Sequence, residues 1–277
     1  MPELPEVETI RQDLLKKIVG RQIADLFYTE LGQNLIVKSG QNLQDLLPGQ
    51  RIKSVERKAK YLVLKLSNGK KLVIHLKLTG QIFVRDSSQP ADEFTRLVLK
   101  LDDGRQIRFA DRNGFGEVVL TDDVKEIDPN LGPEPFEIST QGFNLAINKS
   151  SKSTVKEALL DQTLVSGIGN IYTDEALWIA RINPFRSPKS LSLNETTKLL
   201  ESIKTTLQEG IKDRGTTIDT YLDTDGRPGK HQFNLVVYGK TGKPCKRCAT
   251  KIEYTEISSR RTHFCPTCQP KAQLSLF

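Results

Sequence analysis

The chain has 277 residues, enough for two ordinary domains each with its own core. No apolar run approaches the ~18 residues of a membrane span, and 37% hydrophobic against 27% charged residues predicts a soluble globular protein. Lys and Arg outnumber Asp and Glu by 41 to 34, a net charge of +7 that suits a polyanionic partner such as nucleic acid as well as it suits a basic surface kept for solubility.

The chain opens "MPELPEVE". From Leu4 to Gly20 the apolar residues Leu4, Val7, Ile10, Leu14, Leu15 and Ile18 recur at helical spacing, Pro5 suits a first turn and Gly20 a stop. Acids in this helical start, where a secretory signal needs a basic start and an apolar stretch, predict a cytoplasmic protein. Short alternating or β-branched runs follow at Arg51–Arg57, Tyr61–Leu66, Leu72–Lys77, Gln81–Arg85, Arg96–Leu101, Gln106–Ala110 and Glu117–Leu120, with hairpin signals at Asn68-Gly69 and Asp103-Gly104. So many short strands with tight turns read as an antiparallel sandwich or barrel flanked by the first helix. "LGPEPFEIS" reads as a linker. Beyond it the period becomes helical, over Ser153–Leu160, Tyr172–Arg181 and Leu193–Gln208, with Ser153, Thr173 and Asn194 as caps or first-turn residues. A polar glycine-rich loop, "LDTDGRPGKHQ", precedes strand-like "FNLVVYG" and a cysteine-bearing tail. The reading is α+β multidomain: an N-terminal domain over residues 1–131, a helical region with its loop over 132–236, and a tail over 237–277. No internal repeat or low-complexity tract is visible.

Cys245, Cys248, Cys265 and Cys268 form two C-x2-C pairs and are all the cysteines in the chain. Four thiolates so spaced suit one tetrahedral zinc in a β-hairpin, a closed structural site with no open position for chemistry. Disulfides and a redox C-x-x-C pair are the alternatives, disfavoured by a reducing compartment and by the absence of a βαβ context. Between the pairs, Arg260 and Arg261 lie near the expected turn, where guanidinium groups suit phosphates or simply a solvated basic turn. In "LVSGIGNIYTDEAL", Gly167, Gly169 and Asn170 stand at a helix start, either a site for an anion, helped by Lys156 nearby, or only a tight corner. If Met1 is removed, as a small second residue permits, Pro2 becomes a secondary amine at the terminus. The usual α-amino pKa of ~7.7–8.0, against ~10.4 for lysine, makes it a usable nucleophile with Glu3 beside it to move a proton. The other reading is a helix start in which Glu3 and Glu6 merely complement the macrodipole.

"MPELPEVET", "KAKYLVLKL", "IHLKLTG", "LGPEP", "GIGNIYTDEALW" and the closing "VYGKTGKPCKRC…RRTHFCPTC" run along nearly the whole chain, which resembles the formamidopyrimidine-DNA glycosylase family. That resemblance implies a β-sandwich, a helix-two-turn-helix region with a lesion-capping loop, a β-hairpin zinc ribbon, and duplex DNA with damaged bases or abasic sites as partner of a monomer at the nucleoid. It implies base-excision repair of oxidised purines (8-oxoguanine and formamidopyrimidines) by a bifunctional glycosylase and AP lyase, ending in β/δ-elimination. Pro2 then matches the Schiff-base nucleophile, Glu3 the catalytic acid, Glu6 a supporting carboxylate and Lys60 the proton donor of β-elimination. Asn170 and Lys156 match phosphate-binding positions, Arg260 the zinc-ribbon arginine on the phosphate beside the lesion, and Glu175 a carboxylate near the base pocket.

The departures fall where the family fills the gap left by the extruded base. Leu78 stands for a methionine and Asn113 for an arginine, while Phe115 is kept. Gly114 replaces a basic residue, and no histidine lies between His75 and His231, although the family has one near position 92. Asparagine cannot reach or pair with an orphaned base as arginine does, so looser opposite-base discrimination and a weaker grip on the duplex are expected. An oxidised-pyrimidine enzyme of the endonuclease VIII type, or a damaged-DNA-binding protein with weak catalysis, are the alternatives.

Overall fold

Helix α1 (Leu4–Ile18) buries Leu4, Val7, Ile10, Leu14 and Ile18 completely, a single stripe at helical spacing. Each such side chain contributes roughly 1.5–3 kcal/mol when removed from water, so this stripe rather than intrinsic propensity holds the helix in place. Glu3 is its N-cap residue, Pro5 lies in the first turn, and the chain leaves beyond Val19 through Gly20 at φ +84°.

The computed structural model describes residues 1–37 and 42–271. These form two compact units, one of Met1–Pro129 with Gly210–Gln232, the other of Asn130–Glu209 with the described residues from Phe233 onward. In the first unit α1 is followed by β1 (Ile23–Tyr28), β2 (Ile36–Val37), α2 (Leu43–Leu46), β3 (Ile52–Lys58), β4 (Tyr61–Leu66), β5 (Lys71–His75), β6 (Gly80–Asp86), β7 (Thr95–Leu101), β8 (Arg105–Asp111) and β9 (Glu117–Thr121). They make a sheet in the order β1-β7-β8-β6 and another in the order β2-β9-β5-β4-β3. All pairs are antiparallel except β2 with β9. The expected hairpin turns at Gly69 and Gly104 both take positive φ. One core lies among α1 and both sheets, with Val7, Ile10, Leu64, Ile74, Leu99 and Phe109 at its centre, as a sandwich requires.

β1, β2 and α2 are not evident in the sequence. In β1 the burial pattern lacks strict alternation, β2 is two residues long, and α2 is four. Segment 210–232, expected to go with the helices before it, packs into the first unit instead. Tyr221 is 5% exposed and joins the core of Val7, Ile10 and Leu14, which draws the segment there.

The second unit holds α3 (Thr140–Lys149), α4 (Val155–Leu160), α5 (Asn170–Ala180) and α6 (Leu193–Lys212), the last as far as Glu209, then the hairpin β10 (Glu253–Ile257) and β11 (Arg260–Phe264). α3 was hidden by the proline-rich run before it; Ser139 caps it, accepting the Gly142 N–H at 3.1 Å. Thr154, not Ser153, caps α4, and α5 begins at Asn170 with Gly169 as its cap, two residues before the expected start. The strand expected over "FNLVVYG" is absent. Residues 231–233 form a 3-10 turn, and the N–H groups of Val236, Val237 and Tyr238 bind the Glu175 carboxylate at 2.8–2.9 Å instead of a neighbouring strand. Among the described residues, no helix is long and apolar enough to cross a membrane.

Candidate active site and nucleic-acid-binding residues

In the first unit, Pro2, Glu3 and Glu6 are all buried at the start of α1, while Met1 is 46% exposed. Glu6 is the organiser. One carboxylate oxygen accepts the Glu3 N–H at 2.7 Å and the other accepts the Thr216 N–H at 2.7 Å. A carboxylate holding two backbone donors fixes the peptide on which Glu3 sits, which sets the direction of a proton carrier beside Pro2. Lys60 is 7% exposed and follows Ala59, whose φ of +50° makes the turn from β3 to β4. Arg57 ties this turn to α1, donating to the Ala59 carbonyl at 2.9 Å and pairing with Glu8 at 3.1 Å. Burial pushes the Glu8 carboxyl up, but hydrogen bonds from Arg11 and Gln12 and the charges of Arg11 and Arg57 bring it below its ordinary value. The anchor of the Lys60 turn is thus ionised at neutral pH. Beside Lys60, burial and the charges of Asp128 and Glu117 push the Tyr61 phenol up to about 12, so it stays protonated.

Leu78 and Phe115 are exposed, by 42% and 54%, on the β5–β6 and β8–β9 connections. Asp111 binds the two connections together. It accepts from Thr79 Oγ1 at 2.5 Å, from the Asn113 N–H at 3.2 Å and, through its other oxygen, from the Gly116 N–H at 2.7 Å. Large apolar side chains held out on a hydrogen-bonded base have the form of a wedge. Asn113 is exposed between them. Arg96 runs beneath, donating to the Asp111 carbonyl at 2.6 Å and to Leu31. Gly114 has φ +73°, and a Cβ there would lie 3.0 Å from the Arg96 guanidinium. A side chain at 114 would be strained by the positive φ and would need the Arg96 guanidinium to shift slightly, whereas Asn113 is exposed.

In the second unit, Arg260 is exposed as the first residue of β11, just past Ser258 and Ser259, whose positive φ values make the hairpin turn. Lys152 lines the same surface pocket, with Glu157, Asp161 and Ser258. The sequence reading did not single out Lys152, and nothing in its loop spacing points to it. Asn170 donates its amide to the Arg261 carbonyl at 2.9 Å, which joins the start of α5 to β11; its Oδ1 is buried without a partner among the described residues.

Lys156, expected at a phosphate, and Glu175, expected near the base pocket, are both buried. Lys156 is fully buried, its ammonium 2.5 Å from Asp174 Oδ1 and 3.1 Å from the Asn170 carbonyl. It holds the helix start from within and does not present its charge to solvent. The other Asp174 oxygen accepts the His263 N–H at 2.9 Å, so one buried carboxylate links α4, α5 and β11. Glu175, expected near a base, is 4% exposed; burial raises its carboxyl above the ordinary value, against the pull of three backbone N–H bonds. It shapes residues 236–238. Lys156→Ala should cost about 3–5 kcal/mol by leaving Asp174 without its cation, whereas Lys152→Ala, on a side chain 44% exposed that pairs only with Asp161 at 3.2 Å, should leave the melting temperature nearly unchanged.

The four cysteine sulfurs lie within 4.8 Å of one another. Cys245–Cys268, Cys248–Cys265 and Cys248–Cys268 are 3.8, 3.5 and 3.4 Å apart. A tetrahedron with ~2.3 Å Zn–S bonds has S···S edges of about 3.8 Å, and a disulfide needs ~2.05 Å, so the geometry fits zinc. The Arg247 N–H points at Cys245 Sγ (3.5 Å) and the Cys268 N–H at Cys265 Sγ (3.4 Å), donors that favour thiolates. Zinc in this closed set builds the ribbon that carries Arg260.

Three family models cover the chain: the formamidopyrimidine-DNA glycosylase N-terminal domain over residues 1–118, the H2TH domain of the same enzymes over 131–221, and a zinc finger found in FPG and IleRS over 242–271. A formamidopyrimidine-DNA glycosylase of Herpetosiphon aurantiacus is 44% identical over 97% of this chain and 100% of its own length. The Lactococcus lactis FPG mutant G226P, bound to a Fapy-dG containing DNA, superposes with a TM-score of 0.89 at 36% identity, over 98% of this chain and 100% of that one. The L. lactis protein with an abasic site containing DNA, and with an oxidized pyrimidine containing DNA, gives TM-scores of 0.88 at the same identity and coverage.

Proposed function

Because the chain belongs to the formamidopyrimidine-DNA glycosylase family, we propose that it excises oxidised bases from duplex DNA and then cuts the strand, using the amine of Pro2 once Met1 is removed. The observation that carries this reading is the buried start of α1, where Glu6 fixes the Glu3 backbone beside Pro2. A base stacked in a duplex is out of reach, so the enzyme extrudes the nucleotide at a cost of a few kcal/mol. The secondary amine attacks C1′, the glycosidic bond breaks, and the base leaves with a proton supplied through Glu3. With a proton delivered to O4′, the C1′–O4′ bond then opens to give the iminium, which acidifies the neighbouring C2′ hydrogen. Loss of that proton expels the 3′ phosphate, with Lys60 as the proton carrier, and no metal takes part in the chemistry. Arg260, beside Lys152, holds the phosphate next to the lesion, and Lys156 and Asp174 are positioning residues for the Asn170 turn. Zinc serves only to build the hairpin. Nothing in the site requires a second copy of the chain.

Leu78 and Phe115 fill the gap left in the stack, and Asn113 leaves the orphaned base weakly read. The enzyme should cut 8-oxoguanine opposite cytosine and opposite adenine at similar rates. Asn113→Arg, at the open position, should favour cytosine by roughly 5- to 150-fold, the worth of a bidentate arginine–guanine pair at 1–3 kcal/mol for the analogous readout. Incision rates on duplexes carrying 8-oxoguanine, dihydrouracil or an abasic site test the reading. Cutting of dihydrouracil alone among the bases would move the substrate to damaged pyrimidines; an L. lactis complex holds DNA with an oxidized pyrimidine. No cutting of any duplex would leave a binding protein.

A further inference from the structure

Arg96 is only 9% exposed, yet its guanidinium has no carboxylate partner among the described residues. Its hydrogen bonds go to main-chain carbonyls: Nε donates to Asp111 at 2.6 Å, Nη1 to Leu31, and Nη2 to Arg112 at 3.5 Å. The Asp111 carboxylate is occupied elsewhere, by Thr79 and by the N–H groups of Asn113 and Gly116. Arginine has five N–H donors and is rarely buried without a counter-charge. A cation held in this way is best satisfied by an anion from outside the chain.

The backbone aims this side chain. Pairing of β7 with β8 slips between Thr95 and Leu97, so Arg96 is the extra residue of a β-bulge, a device that redirects a side chain. Its carbonyl accepts the Thr29 N–H at 3.1 Å, and Gly32 packs so closely on that carbonyl that a Cβ there would lie 1.9 Å away. With the residue fixed on that side, the guanidinium lies against Gly114. The space that a Cβ at 114 would take is bounded by Nη2 at 3.0 Å, Cζ at 3.1 Å and Nη1 at 3.4 Å. Gly114 is half-buried, and the next residue, Phe115, is 54% exposed. A duplex that takes Phe115 into its stack brings its backbone close to position 114.

We propose that Arg96 is a phosphate-binding residue, reached through the opening that Gly114 leaves, and that it carries the charge role of the basic side chain missing from position 114. The inference rests on the proposed action on duplex DNA. The cation is moved from the loop to the strand beneath it. Three carbonyls hold it in place beforehand, so it loses less freedom on meeting a phosphate than an exposed lysine would.

The test is equilibrium binding of the full-length, zinc-loaded protein, over a salt series, to a duplex carrying a tetrahydrofuran abasic analogue opposite cytosine. Arg96→Gln keeps hydrogen-bond donors and removes the charge. It should lower the slope of log K against log salt by about 0.9, the share of one phosphate contact. Binding at low salt should weaken roughly tenfold to a hundredfold, the scale of a hydrogen bond to a charged group. Adding Gly114→Lys to Arg96→Gln returns a cation from above and should restore the slope. Gly114→Ala keeps the charge but covers it with a methyl group, and should also lower the slope, which carries the test if Arg96→Gln does not fold. An unchanged slope in Gly114→Ala or in folded Arg96→Gln, even with weaker binding, would make Arg96 a structural brace and overturn the inference. Failure of the added lysine to restore the slope would do the same. Wild-type protein that binds this duplex no more tightly than an undamaged one would instead remove the proposed function, and the inference with it.

Discussion

An uncleaved extension placed ahead of Pro2 is expected to abolish both base excision and strand cutting, by roughly a thousandfold or more, while leaving the fold and DNA binding intact. An added residue turns the secondary amine into a tertiary amide, which has no lone pair to offer C1′. A loss of about 10⁶-fold accompanies removal of a catalytic nucleophile elsewhere. The structure separates this from general damage, because residue 1 is half exposed at 46% and an extension from it can leave without entering the core. Proteolytic removal of the extension back to Pro2 should restore full activity. Incision by the extended form within tenfold of the mature protein would mean that another group is the nucleophile.

Stripping the zinc should be the next most damaging change. Structural zinc in small ribbons is worth about 10–16 kcal/mol of apparent binding energy, most of which is folding energy of the ribbon itself. Here the cost reaches beyond the ribbon, since Trp178 of α5 packs with Val237, Ile252, Cys245 and Cys265. Its indole N–H points at Cys245 Sγ at 3.4 Å, and Arg247 stacks on its ring at 3.6 Å. Trp178 is the single tryptophan of the chain, so its fluorescence reports the metal site directly. Chelation is expected to shift that emission and to weaken DNA binding at least a hundredfold, because Arg260 loses its rigid hairpin, with both recovering when zinc is returned. Metal-free protein, verified by elemental analysis, that binds DNA as tightly as before would contradict a zinc-built phosphate site.

Much of this architecture is legible in the sequence, and the failures have local causes. α1 is plain because its apolar stripe runs unbroken from Leu4 to Ile18 and nothing competes with it. The strands from β4 to β9 are legible because each carries a buried run bounded by turn residues. "FNLVVYG" looks like a strand by composition, yet one buried carboxylate from another element captures its N–H groups. No property of those seven residues could announce Glu175, and no property of Glu175 could announce that its use is to accept three backbone bonds. Lys156 is similar: the sequence shows a lysine near a glycine corner, and only three dimensions show Asp174 against it with both side chains fully buried. The cysteines are the opposite case, since their spacing alone carries the tetrahedral geometry. The exposed pair Leu78 and Phe115 is intermediate, since the family pattern points to both residues while Asp111, which fastens their loops, is visible only in three dimensions.

The central claim is covalent catalysis by the Pro2 amine. It is tested most directly by borohydride trapping of the mature protein on a duplex carrying 8-oxoguanine opposite cytosine, followed by mass spectrometry of the adduct. Reduction of the iminium should join one DNA strand to one chain, and the cross-linked peptide should begin at Pro2 with its nitrogen alkylated. An adduct on Lys60 or another lysine, or incision without any adduct, would contradict it.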